Sequence, residues 1–149
     1  MRVKDIMTKD VVSLKPDDSA FEALELLFKM QISGLPVIDG QGKLAGMFTE
    51  KEVLSFILPG YIEKVGRFIY EADPKSTKKK FLELSGVKVS QLMRKDVVTT
   101  QEEVTSSEVA RVMLTQKARR LPVIDKNGKV LGIISRCDIL KTMAKETTS

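Results

Sequence analysis

The chain has 149 residues, enough for one domain or two tightly associated halves, and its 42% apolar and 30% charged residues are ordinary for a globular protein. A single cysteine, Cys137, and no histidine exclude an internal disulfide, leave zinc without its usual ligands and remove most imidazole acid–base chemistry. The net charge of +5 favours an anionic partner without choosing among nucleotide phosphate, nucleic acid and an acidic protein surface. With no long apolar run and no leader pattern, the expectation is a cytoplasmic protein with no membrane segment.

In chain order, Val11–Leu14 is short and β-branched, which suits an entering strand. A helix follows, because Ser19 stands three residues before Glu22 in the capping-box pattern. Its residues Phe21, Leu24, Leu27 and Phe28 are apolar, while Glu22, Glu25 and Lys29 form one narrow polar stripe, so a core helix is expected. Leu35–Asp39 and Leu44–Phe48 are apolar runs separated by Gly40-Gln41-Gly42-Lys43, a hairpin with residues that tolerate positive φ. A second helix opens at Thr49, with Val53, Leu54 and Ile57 on one face.

Residues 59–88 open on the breaker pair Pro59-Gly60 and are divided again at Asp73-Pro74. Tyr61, Ile62, Val65, Phe68 and Ile69 follow helical spacing, and a second helix is expected from Lys75 to Ser85 with Gly86 as its C-terminal cap. The segment is read as two short helices covering one edge of the core. Its Lys78-Lys79-Lys80 run is either a solvated helix face or a nucleic-acid contact. Only two Tyr and no Trp leave single-strand binding weakly supported.

After this interruption the first pattern returns. Residues 3–54 align without a gap on residues 89–140, with 16 of 52 pairs identical. Val97–Thr100 repeats the entering strand, Thr105 and Glu108 repeat the capping box, and Leu121–Asp125 repeats Leu35–Asp39 letter for letter. Lys126-Asn127-Gly128-Lys129 repeats the hairpin turn, and Ser135 opens a last helix that carries Ile139, Leu140 and Met143. Each copy reads strand, helix, strand, strand, helix. A repeat that buries its apolar face against its twin leaves clefts between the copies, so up to two sites are expected.

The copies end in Gly46-Met47-Phe48-Thr49-Glu50-Lys51-Glu52 and Gly132-Ile133-Ile134-Ser135-Arg136-Cys137-Asp138, with a hydroxyl three residues before an acid. A hydroxyl at a helix N-terminus suits a phosphate, and an acid one turn in can accept hydrogen bonds from vicinal ribose hydroxyls. Apolar residues around Val98 and Leu121-Pro122-Val123 could hold a base, which together describes an adenosine pocket. The same pairs also fit capping boxes that only satisfy the helix ends.

The tandem units, the Leu-Pro-Val-Ile-Asp strand, the hairpin glycines and Gly-Ile-Ile-Ser-Arg-Cys-Asp together resemble a pair of CBS (cystathionine β-synthase) domains, a Bateman module. The resemblance implies an α/β (α+β) fold of two β-α-β-β-α repeats in pseudo-twofold packing, with repeat 1 at 1–58, a helical insertion at 59–88 and repeat 2 at 89–149. It also implies AMP, ADP, ATP or S-adenosylmethionine as a regulatory ligand and a disc-like homodimer; separately, no nucleophile–base pair, metal cluster or P-loop can be assembled from these residues, so no catalytic or metal-ligating residue and no obligatory cofactor are expected. By matching position, Asp138 resembles the family's ribose-binding acid and Ser135 its phosphate-side hydroxyl, with Arg136 between them. Val98 and Thr99 fall where the entering strand contacts the base, Leu121 and Pro122 line it, and Arg119 and Arg120 stand ready for phosphate, unless they are solvated loop charges.

In the first copy the matching positions are Val12, Ser13, Leu35, Pro36, Thr49, Lys51 and Glu52. Glu52 is one methylene longer than the family's usual Asp, and Ser33-Gly34 replaces Arg119-Arg120, so this site is expected to be weaker, altered or empty. The leading reading is a non-enzymatic adenosyl sensor that regulates an unidentified protein partner in trans, with the insertion as the partner-facing element. A constitutive dimerisation scaffold and a DNA-binding regulator are the alternatives.

Overall fold

A computed structural model describes residues 1–58 and 74–148. The helix expected over residues 61–69 lies outside the described residues. The remaining elements are helix α1 (Val3–Ile6), α2 (Ala20–Met30), strands β1 (Gly34–Ile38) and β2 (Leu44–Thr49), and α3 (Glu50–Ile57). They continue with α4 (Pro74–Glu83), a 3-10 turn (Leu84–Gly86), α5 (Val89–Leu92), α6 (Ser106–Thr115), β3 (Arg120–Ile124), β4 (Val130–Ser135) and α7 (Arg136–Thr148). The fold is mixed helix and strand, with β1 paired to β2 and β3 to β4. The β3–β4 pair is antiparallel and sets Arg120 opposite Ser135.

The expected entering strands are shorter than the β-branched runs suggested. Each makes one parallel bridge, Leu14 to Val37 and Thr100 to Val123, through Leu14 N to Pro36 O and Thr100 N to Pro122 O at 2.9 and 3.0 Å. The helix starts follow the sequence signal: the amides of Glu22 and Glu108 donate to Ser19 Oγ and Thr105 Oγ1 at 3.4 and 3.3 Å. In the hairpins Gly42 and Gly128 take left-handed φ values of 83° and 84°, which glycine adopts readily because it has no Cβ. Asp39 and Asp125 close the turns, each accepting two backbone amides on Oδ1.

The chain forms two compact units that do not follow the order of the repeats. One joins residues 13–37 with 45–95, and its core gathers Leu14, Leu24, Leu27, Leu35, Phe48, Val53, Leu84 and Val89. The other joins 1–12 and 38–44 with 96–149, around Val3, Val109, Met113, Leu121, Ile134 and Ile139. Each core therefore includes the opening helical turn of the other repeat. The exchange is symmetric down to single bonds: Val3 N donates to Val104 O and Val89 N to Asp18 O, both at 2.8 Å. Thr8 bridges Ile133 and Arg94 bridges Met47 in the same way. Both approaches need a glycine, because a Cβ on Gly46 would lie 2.6 Å from Arg94 O and one on Gly132 would lie 2.8 Å from Thr8 O.

The insertion's described part packs on the first of these units. Phe81 stacks edge-on against Phe21 at 6.0 Å, and Lys80 sits 4.7 Å over the Phe56 ring while pairing with Glu83. The lysine run is thus only partly a solvated face, and the helix ends at Glu83 rather than running on to Ser85, with a tighter 3-10 turn taking over. The first helices are less enclosed than their composition implied. Phe28 and Leu114, at equivalent positions, are 63% and 67% exposed, and so are Leu54 and Leu140 at 56% and 64%.

Candidate functional site

The second repeat brings its candidate residues to the junction where β4 becomes α7. β4 delivers Ser135 as the residue before the helix, and cross-strand pairing puts Arg120 at its side. Ser135 N donates to Asp138 Oδ2 at 2.9 Å, and Asp138 N donates to Ser135 Oγ at 3.1 Å. This is the complete capping box, and it fixes both side chains against the helix end. It does not exhaust them: among the described residues nothing donates to Asp138 Oδ1, and the Ser135 hydroxyl, used as an acceptor, has no acceptor for its own proton. Both residues are half-buried.

Arg136 takes a different position from the one its sequence neighbours suggested. Its Nε donates to Ala118 O at 3.1 Å and Nη2 to Met113 O at 3.3 Å, so the guanidinium ties down the C-terminal end of α6 and the loop leading into β3. Its backbone N–H donates to Arg119 O at 3.2 Å. Together these bonds hold the loop that carries Arg119, and with it the start of β3 at Arg120, against the start of α7. Neither Arg119 nor Arg120 has a side-chain hydrogen bond or ion pair with a described residue; Arg119 is exposed and Arg120 half-buried. A half-buried guanidinium with unused donors is a group able to receive a phosphate bidentately.

The rest of the set lies on β3 and on the segment that runs beside it. Leu121 and Pro122 are buried in β3, and Val98 and Thr99 are half-buried on the extended segment that bridges β3 through Thr100. Thr100, a buried polar residue at the end of the entering strand, secures this segment through its carbonyl, which accepts from Ile124 N at 3.0 Å.

At the matching junction of the first repeat, Thr49 N and Thr49 Oγ1 both donate to Glu52 Oε1. The longer Glu side chain reaches back past the amide to the hydroxyl, and the proton that Ser135 keeps is here committed. Glu50 N donates to Ser33 O at 2.9 Å, the counterpart of the Arg136–Arg119 bond, but no side chain at 33 or 34 offers a cation. Leu35 and Pro36 are buried, Lys51 is exposed, and Val12 and Ser13 are exposed.

Among the described residues no cluster of three or more His, Cys, Asp or Glu could hold a metal ion, and no helix is long and apolar enough to cross a membrane. The CBS domain family model matches residues 3–59 and 89–145. The chain is 31% identical over 94% of its length to the inosine-5'-monophosphate dehydrogenase of Methanocaldococcus jannaschii, of which it spans 23%. It is 32% identical over 93% of its length to the chloroplastic CBS domain-containing protein CBSX2 of Arabidopsis thaliana, of which it spans 62%. The crystal structure of CBSX2 in complex with AMP superposes with a TM-score of 0.75 at 28% identity, covering 98% of both chains.

Proposed function

This chain belongs to the CBS domain family as a tandem pair, and on that footing we propose that it binds an adenosyl ligand, with AMP first among candidates, and regulates a protein partner in trans. The observation that carries the reading is the Ser135–Asp138 junction with Arg120 opposite Ser135 across the sheet, Arg119 and Arg120 having no side-chain partner among the described residues, in a chain similar to one crystallised with AMP. Asp138 Oδ1 accepts from the ribose hydroxyls, the Ser135 hydroxyl and the arginines meet the phosphate, and Val98, Thr99, Leu121 and Pro122 enclose the base. Arg136 acts at one remove, by holding the arginine loop in place. The capping roles of Ser135 and Asp138 do not compete with this, because the cap aims the atoms the ligand uses.

In this reading repeats 1–58 and 89–149 are the units of duplication and 59–88 is the partner-facing insertion. The ligand acts by its differential affinity for two states of the protein, which bounds its effect on the partner. A homodimer is part of the proposal: Phe28 and Leu54 in one unit, and Leu114 and Leu140 in the other, are large apolar side chains left exposed, which a second copy of the chain can cover. No catalytic or metal-dependent step is assigned to the chain. Thermal unfolding with and without ligand tests the reading. Saturation at about one hundred times the dissociation constant adds roughly 2.7 kcal/mol, a rise on the order of 5 to 10 °C. If AMP, ADP, ATP and S-adenosylmethionine at millimolar concentration all leave the melting point unmoved, the reading is wrong.

A further inference from the structure

The two strand–helix junctions differ in a way that composition alone does not show. In the second repeat the cross-strand partner of Ser135 is Arg120. In the first repeat the equivalent residue, Gly34, stands against Thr49: a Cβ built there would lie 2.6 Å from Thr49 Cγ2 and 3.1 Å from Phe48 O. Ser135 has no such methyl. Thr49 cannot turn the methyl aside without cost, because its χ1 is restricted by β-branching and its Oγ1 is held by Glu52. The methyl of Thr49 and an arginine at position 34 are therefore mutually exclusive, while Ser135 and Arg120 are compatible.

Charge follows the same division. Over the matching positions 33, 34, 50, 51 and 52 the first repeat has Ser, Gly, Glu, Lys and Glu, a net charge of −1; over 119, 120, 136, 137 and 138 the second has Arg, Arg, Arg, Cys and Asp, a net charge of +2. The first junction also lacks the free hydroxyl proton of Ser135.

Resting on the adenosyl-binding reading above, we propose that the pairs Gly34–Thr49 and Arg120–Ser135 are specificity determinants that divide the repeats by ligand charge. The second repeat takes a nucleotide with a 5'-phosphate, and the first takes an adenosyl ligand whose 5' substituent carries no negative charge. The Thr49 methyl is what keeps the first repeat from acquiring a phosphate-binding arginine at position 34.

The test is titration calorimetry of the full chain with AMP and with adenosine, alongside melting curves. The wild type takes one AMP per chain and two adenosines. Thr49→Ser combined with Gly34→Arg adds a second AMP site, and Arg120→Gly weakens the existing one by roughly tenfold to a hundredfold. Gly34→Arg alone does not add the site and lowers the melting point by roughly 5 °C, part of which Thr49→Ser restores. The steric half also reads without ligand: Gly34→Ala destabilises the wild type more than the Thr49→Ser background.

Two equivalent AMP sites in the wild type, one adenosine per chain, or a folded double variant with no second AMP site overturns the proposal, as does equal destabilisation by Gly34→Ala in both backgrounds. These results leave adenosyl binding by the second repeat standing. Absence of any binding by AMP or adenosine defeats that reading and this one with it.

Discussion

Asp138→Ala separates the two jobs assigned to one carboxylate. In the free protein the substitution removes the bond from Ser135 N to Asp138 Oδ2 at 2.9 Å and leaves the Asp138 backbone amide its replacement's own, still bonded to Ser135 Oγ. Loss of half a capping box at a half-buried helix start costs about 1 kcal/mol, or roughly 3 to 5 °C in melting temperature for a chain of this size. With ligand the loss is larger. Two ribose hydrogen bonds to a carboxylate, at about 1.5 kcal/mol or more each, correspond to a hundredfold or greater loss of affinity. A ligand concentration that stood at one hundred times the dissociation constant then stands near it, and the stabilisation falls from roughly 2.7 to about 0.4 kcal/mol. Glu52→Ala is the internal control: it removes the matching cap on Thr49 at similar cost without ligand, but leaves the AMP-induced shift intact. Differential scanning calorimetry of the three proteins with and without AMP reads both effects. If Asp138→Ala loses its cap stability yet keeps the full AMP shift, the carboxylate is a cap and nothing more, and its ribose contact is ruled out.

Gly46→Ala and Gly132→Ala push a methyl into the Arg94 and Thr8 carbonyls that close the exchanged segments, so each should destabilise by about 1 to 3 kcal/mol in urea unfolding, with a neutral result contradicting the close approach. Leu54→Glu with Leu140→Glu places charges on the exposed apolar positions and should halve the mass read by light scattering; an unchanged mass moves the proposed dimer contact elsewhere. The Lys4–Glu103 pair at 2.8 Å fastens α1 to the segment before α6, and the hydrogen bond and the opposite charge hold the Glu103 carboxyl below and the Lys4 amine above their ordinary values. Its contribution is present above the ordinary Glu pKa and fades as pH falls through the lowered Glu103 value; it is present below the ordinary Lys pKa and fades as pH rises through the raised Lys4 value. Both groups are solvent-exposed, so the effect is small and salt-sensitive. Hydrogen exchange over residues 1–12 should quicken modestly in Glu103→Gln at low salt and match wild type at high salt.

The repeat, the hairpins and the helix starts were legible because each leaves a local mark: an 86-residue offset held without a gap, an Asp-x-x-Gly turn, a hydroxyl three residues before an acid. The exchanged opening turns were not, since Val3–Ile6 and Val89–Leu92 are four-residue helices, too short to show a period, and their choice of partner core is a long-range fact. Phe28 looked like core because an apolar stripe reads alike whether it faces the interior or another surface. Arg136 stood in the motif between two site residues, yet its guanidinium reaches back to the carbonyls of Met113 and Ala118, which spacing along α7 cannot reveal. The asymmetry of the two strand–helix junctions was half visible in Glu52 and Ser33-Gly34; that the Thr49 methyl crowds a side chain at Gly34 needed the distance between them.

Titration calorimetry of AMP into the wild-type chain and into Asp138→Ala bears most directly on the claim that this pair senses an adenosyl ligand. Saturable binding by the wild type and at least a hundredfold weaker binding by the variant, at a preserved fold, are the expected results. Wild-type protein that gives no saturable heat with AMP, ADP, ATP or S-adenosylmethionine, or an Asp138→Ala variant that binds as tightly as wild type, would contradict that claim.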